Sequence, residues 1–139
     1  MKLTKIEVTH MIQASPEAVF KRWMSTDQPG GLWFGVSRLI RNPVVDGLFY
    51  HVVEHEGRAW HHYGRFVQIE GPRFLQFTWV SEATRGMETI VTVTLEPDGP
   101  STCVTLEQRG VPDDEMGRRH HEGWGWCLNV LAESLEEAV

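Results

Sequence analysis

Seven histidines and six tryptophans in a chain of 139 residues are the side chains best equipped for chemistry. Imidazole titrates near neutral pH and can hold a metal, move a proton or orient a hydroxyl. Indole offers a broad apolar plate with one N–H donor. His51 and His55 stand four residues apart, while His61-His62 and His120-His121 are adjacent pairs. Neighbours on a strand point to opposite faces, and on a helix they diverge by about 100°, so neither pair converges easily on one ion. No zinc-protease motif or cysteine ladder accompanies them. The expectation is no metal and no fixed cofactor. His51 is more interesting, because it alternates with Phe49 and Val53. If that apolar face is inward, the imidazole either bonds a core neighbour, orients a ligand hydroxyl or acts as a base. Arg65, beside Val67 and Ile69, poses the same question: inward it would hold a carboxylate, outward it is solvated, and Phe66 argues for the opposite face.

Trp33, Trp60, Trp79, Trp124 and Trp126 could line a pocket wall or simply pack a core. Trp79 and Trp124 are the stronger candidates for lining, since both fall on inward faces of their elements. Cys103 and Cys127 are the only cysteines, and in a chain of this kind they read as free buried thiols.

The elements that position these groups follow from periodicity. Ile6 to Ile12 alternates as a half-buried strand. Ser15-Pro16-Glu17 then supplies a hydroxyl cap, a proline suited to the first helical position and an acid facing the positive end of the helix dipole. Val19, Phe20, Trp23 and Met24 form one helical face, and Leu32-Trp33-Phe34-Gly35 reads as a second short helix. Strands are expected at Ser37–Arg41, Leu48–Glu54, Trp60–Ile69, Phe74–Val80, Glu88–Glu96 and Thr102–Gln108, separated by Gly, Pro, Asn and Asp turns. Inward sets are Leu75, Phe77 and Trp79, then Val91, Val93 and Leu95, then Val104 and Leu106. From Glu115 to Ala138 there is no proline, and Trp124, Leu128, Leu131 and Leu135 recur at helical spacing. Gly123 inside that helix costs about 1 kcal/mol, which predicts close approach there by the sheet or a ligand.

The order is strand, short helices, about six strands and a long helix, an α+β class with consecutive antiparallel strands. A sheet of six to seven strands should curve around the terminal helix. The length fits one domain, 1–139. A net charge of −6 disfavours nucleic acid and anionic membrane surfaces as partners. No window reaches the roughly 20 apolar residues of a membrane span. The N-terminal Met1 to Val8 lacks the apolar run of a secretory signal, which predicts a cytoplasmic chain.

Four stretches stand in order along the chain: Ser15 to Phe20 with Trp33-Phe34-Gly35; Gly64 to Leu75; Phe77-Thr78-Trp79; and His120-His121-Glu122-Gly123-Trp124 with Leu128, Leu131 and Leu135. Together they resemble the activator of heat shock protein 90 ATPase homologue family, within the START-like (SRPBCC, birch-pollen-allergen-like) superfamily. Gln68 stands where the family often has an acid, and Gly71 where it often has a first proline. The resemblance implies a helix-grip fold with a cavity between sheet and terminal helix, in a superfamily that binds lipids, polyketides, hormones and other apolar molecules. It implies no shared catalytic residue.

The leading expectation is a module that binds a small apolar ligand, with Phe49, His51, Trp60, Phe77, Trp79, Trp124 and Leu128 lining the pocket. The alternatives are a cyclase- or dehydratase-type enzyme using His51 as acid or base, and a chaperone ATPase co-regulator. The eukaryotic activators that this family is named for carry an additional N-terminal domain, which weakens the last. No dimerisation motif appears, so the expected assembly is a monomer or weak homodimer.

Overall fold

Period-2 alternation over most of the chain, closed by one long period-3.6 segment, produces a sheet with a helix laid across it. The computed structural model describes residues 2–25 and 36–136. In chain order the elements are β1 (Leu3–Ile12), α1 (Pro16–Met24), β2 (Val36–Arg41), β3 (Leu48–His55), β4 (Arg58–Glu70), β5 (Phe74–Ser81), a 3₁₀ turn (Glu82–Thr84), β6 (Thr89–Asp98), β7 (Ser101–Pro112) and α2 (Glu115–Glu136). The expected short helix at Leu32-Trp33-Phe34-Gly35 lies outside the described residues.

The seven strands form one antiparallel sheet in the order β1-β7-β6-β5-β4-β3-β2. Strands β2 to β7 follow each other as hairpins, while β1 crosses over to pair with β7, placing Val8 opposite Leu106 and His10 opposite Val104. The result is the helix-grip α+β architecture, a curved sheet gripping α2, with α1 following the first strand. Strand ends extend beyond the apolar patterns; β7 runs on through Gly110 and Val111 because Leu3 and Thr4 supply it with partners past a bulge at Thr4/Lys5.

Local chemistry fixes the helix starts. Ser15 Oγ accepts from Ala18 N at 3.2 Å, and Pro16 opens α1, which buries Val19 and Trp23. Asp114 Oδ1 accepts from Met116 N at 2.9 Å and starts α2. Helix α2 buries Trp124, Leu128, Leu131, Ala132 and Leu135 against the inward residues of β5, β6 and β7. Each buried leucine contributes about 1.5 to 3 kcal/mol by leaving water. Residues three and four apart share that face, whereas Trp126 is two from Trp124, about 200° away, and stays half exposed.

The glycine that permits close approach is not Gly123. A Cβ at Gly123 would meet open space, because the residue lies on the solvent side of α2. At Gly117 it would come within 2.5 Å of the Pro112 carbonyl oxygen, so the first turn of α2 can fold back on the end of β7 only without a side chain there. Phe20 of α1 lies over Gly71 in the β4–β5 turn, where a Cβ would stand 2.5 Å from its ring. No described helix is long and apolar enough to cross a membrane.

Helix α2 rests mainly on β1 and β7 and stands off from β3, β4 and β5. On that second side the gap is bridged by long side chains, above all the contact of Trp124 with Trp79.

Candidate functional site

Alternation on β3 turns Phe49, His51 and Val53 inward, and the β3–β4 register pairs them with Gly64, His62 and Trp60. Even-numbered residues of β4 therefore share the concave face with odd-numbered residues of β3. Strand β5 adds Phe77 and Trp79, and β4 adds Phe66. Ring centroids lie 5.5 Å apart for Phe49–Phe66, 5.6 Å for Phe49–Phe77, 5.9 Å for Phe49–Trp79 and 4.9 Å for Trp79–Trp124, all within the range of favourable aromatic pairs.

Trp124 is oriented by a buried chain of hydrogen bonds. Its Nε1 donates to Gln108 Oε1 at 2.8 Å, Gln108 Nε2 donates to Thr89 Oγ1 at 2.9 Å, and that hydroxyl donates to the Trp79 carbonyl at 2.7 Å. The chain fastens α2 to β7, β6 and β5 in turn. With Gln108 and Thr89 both fully buried, loss of one member would strand the others in a low-dielectric interior.

Three imidazoles and a guanidinium enter this aromatic setting. His51 is 2% exposed, and its Nε2 accepts from Arg41 Nη2 at 3.2 Å. Arg41 Nη1 donates to the carbonyls of Trp23 at 2.5 Å and Ser25 at 3.4 Å, tying β2 to the end of α1. Burial lowers the guanidinium to about 10. Burial first, then the charges of Arg41 and His62, hold His51 well below the usual histidine range, so it is neutral at pH 7. His62 is lowered to about 4, chiefly by burial and next by His120 on α2; the carbonyls of His51 and Trp60 oppose this. His120 is lowered by burial, and its Nδ1 lies 2.7 Å from the Met116 carbonyl, which makes that nitrogen the donor.

Of the residues proposed from sequence as pocket lining, Phe49, His51, Phe77, Trp79 and Trp124 come together in direct ring contact. Leu128 is fully buried one turn beyond Trp124 in the same core. Trp60 is on the same face near the start of β4, partly buried, with the Arg58 guanidinium 4.0 Å above its ring. Arg65 points outward and bonds Asp46 at 2.8 Å, while Phe66 takes the inward position. Trp33 lies outside the described residues, and Trp126 faces away from the sheet. His55 is exposed beside Glu56, and His61 stacks on Tyr50 on the outer face. Cys103 and Cys127 are free thiols; burial pushes Cys127 up to about 12.

Sequence reasoning weighed His62 and His120 only as members of adjacent pairs and did not single out Arg41 or Gln108. Gln108 continues the inward set Val104 and Leu106, so its burial was implicit in the alternation. His62 and His120 could be found only from strand register and helix phase, which bring one member of each adjacent pair to the interior. Among the described residues no three His, Cys, Asp or Glu side chains are placed to hold a metal ion.

Solved structures share this arrangement. Mll3558 from Rhizobium loti superposes with a TM-score of 0.81 at 16% identity, covering 96% of this chain and 97% of its own. CalU16 from Micromonospora echinospora gives 0.72 at 21% identity, covering 95% and 76%. The Aha1 of Colwellia psychrerythraea, solved in solution as a dimer, gives 0.73 at 16% identity, covering 96% of each chain. At these identities the likeness establishes the fold alone. No curated protein matches the sequence. The family model for Activator of Hsp90 ATPase homolog 1-like protein matches residues 13–136, nearly the whole described sheet and α2, and the chain belongs to that family.

Proposed function

We propose that this protein binds a small apolar molecule between α2 and the concave face of β3, β4 and β5, using no fixed cofactor. Phe49, Phe77, Trp79, Trp124 and Leu128 form the apolar wall, His51 supplies a polar group within it, and Trp60 stands at the rim. One observation carries this reading: where α2 stands off from the sheet, the face changes from aliphatic to aromatic and acquires imidazoles. An apolar wall with a few fixed polar groups is the usual composition of a small-molecule site.

Native mass spectrometry of freshly purified protein tests this directly, since a retained ligand declares its mass. A thermal-shift screen with apolar compounds gives a second measure. Micromolar affinity corresponds to about −8 kcal/mol. At a hundredfold excess over Kd the linkage is about 2.7 kcal/mol, which raises Tm by roughly ten degrees in a domain of this size. Leu128→Trp should fill the space and abolish the shift, while overpacking costs about 1 to 3 kcal/mol. A diverse library that moves neither Tm nor tryptophan emission would remove the reading.

Catalysis by His51 as a base has less support, because its Nε2 already accepts from Arg41 and burial disfavours its protonation. Turnover abolished by His51→Ala would restore the cyclase or dehydratase reading. Chaperone co-regulation rests on the family's name alone, and co-purification of a chaperone would support it. For assembly we propose a monomer or weak homodimer, supported by the dimeric relative and by the exposed Ile40, Leu48 and Tyr63 on the outer face of β2 to β4. Sedimentation showing a stable tetramer would contradict it.

A further inference from the structure

We infer that His62, with His120 opposite it, recognises the polar end of the ligand, and that this end is a hydroxyl group. The inference rests on the ligand-binding reading above and names the chemistry of that same site.

His62 lies on the concave face of β4. It is paired with His51 across β3–β4 and with Ser81 across β4–β5, and its ring centroid lies 4.7 Å from that of Trp79. Its Nδ1 is buried, yet it makes no hydrogen bond among the described residues. Buried polar atoms are almost always bonded, and one that is not marks a place where a further group belongs. The groups that act on His62 come from every neighbouring element: the imidazoles of His51 on β3, of His61 beside it on the outer side of β4 and of His120 on α2, and the backbone carbonyls of His51 and Trp60. None of these neighbours is a carboxylate; the carbonyls of His51 and Trp60 favour the charged ring, but burial and the neighbouring imidazoles outweigh them, and His62 stays neutral at pH 7.

His120 supports the assignment from the helix side. Its Nδ1 donates to the Met116 carbonyl at 2.7 Å, so the neutral ring keeps Nε2 as an acceptor. Two neutral imidazoles near one another, one on β4 and one on α2, each keep an acceptor nitrogen for a ligand placed between sheet and helix. A hydroxyl has a proton to donate to one of them and remains neutral, so it enters an apolar wall without the desolvation cost of a charge. A carboxylate at neutral pH has no such proton. It would need a cation, and the buried cation on this face, Arg41, is engaged with His51 and the carbonyls of Trp23 and Ser25.

Three probes with one ring system separate the possibilities: naphthalene, 2-naphthol and 2-naphthoate, titrated by tryptophan emission and calorimetry. The expected result is that 2-naphthol binds wild-type protein at least tenfold more tightly than naphthalene. In His62→Phe the ratio of the two affinities should fall to about one, whatever the change in naphthalene affinity itself. Equal affinities for naphthalene and 2-naphthol, or an advantage that survives in His62→Phe, would overturn the role of His62. Tightest binding of 2-naphthoate would overturn the hydroxyl and point to Arg41. If none of the three binds, the ligand-binding reading itself fails, and the inference falls with it. Should His62→Phe not fold, ¹⁵N spectra of the wild-type imidazoles decide: 2-naphthol must shift the His62 nitrogens where naphthalene does not, and unmoved nitrogens refute the assignment.

Discussion

On the β1–β7–β6 side of the concave face, the apolar residues beneath α2 include Ile12, Val91, Val93, Val104 and Leu106, all aliphatic and at most 1% exposed, with Gln108 and Thr89 as the buried polar pair that holds Trp124. On the β3–β4–β5 side the same face carries Phe49, His51, His62, Phe66, Phe77 and Trp79. The two halves are covered by one helix, but at different distances. Where α2 lies against β1 and β7, short branched side chains fill the interval completely. Where it stands away, only rings are long enough, and rings bring nitrogen atoms with them. Stability is thus concentrated in the first half, and recognition is assigned to the second.

The largest expected effect tests the first half. Leu106→Ala should cost about 2 to 5 kcal/mol by leaving a cavity under α2. Its naphthalene affinity, measured below the denaturation midpoint, should match wild type. Equal damage to binding would show that the halves are not separable.

Next in size is the response to acid, which belongs to the second half. The folded state binds protons on His62 and His51 less readily than the unfolded chain, whose histidines titrate near 6.5. The unfolded state therefore gains protons first, and stability is complete above pH 6.5 and falls as pH drops toward 4. Each buried histidine contributes up to about 1.4 kcal/mol per pH unit over that window. Denaturant titrations at pH 7, 6 and 5 should show the slope in wild type and in Leu106→Ala, and a shallower slope in His62→Phe. An unchanged slope in His62→Phe would place the acid sensitivity elsewhere.

The smallest effect is a control on both halves. Gly123→Ala meets open space on the solvent side of α2, so it should stabilise the helix by about 0.5 to 1 kcal/mol and leave probe binding and acid slope alone. Destabilisation there would mean that the outer side of α2 is occupied.

Which half could be read from the sequence follows the same division. The aliphatic half was legible because Val91, Val93 and Leu95, and Val104 and Leu106, alternate cleanly, and Leu128, Leu131 and Leu135 keep helical spacing. The aromatic half was legible only in part. Phe49, His51 and Trp79 followed from alternation within their own strands. Pairing of His51 with His62 depends on the register of the β3–β4 hairpin, and approach of His120 depends on where α2 crosses the sheet; neither is a local property. The expectation at Gly123 failed for a related reason. Helical propensity marks a glycine as costly without telling which side of the helix it occupies, and the tight contact fell at Gly117 instead.

The packing of Phe20 over Gly71 carries a consequence for how such chains diverge. Any residue with a side chain at position 71 would require the Phe20 ring to swing aside or be replaced by something smaller. The two positions are 51 apart in sequence, yet they should change as a linked pair. Because enlarging 71 first creates a clash whereas shrinking 20 first creates only a gap, the accessible order of substitutions runs through Phe20. Among relatives, a side chain at 71 should therefore coincide with a smaller or displaced residue at 20, a correlation set by one aromatic ring resting on one turn.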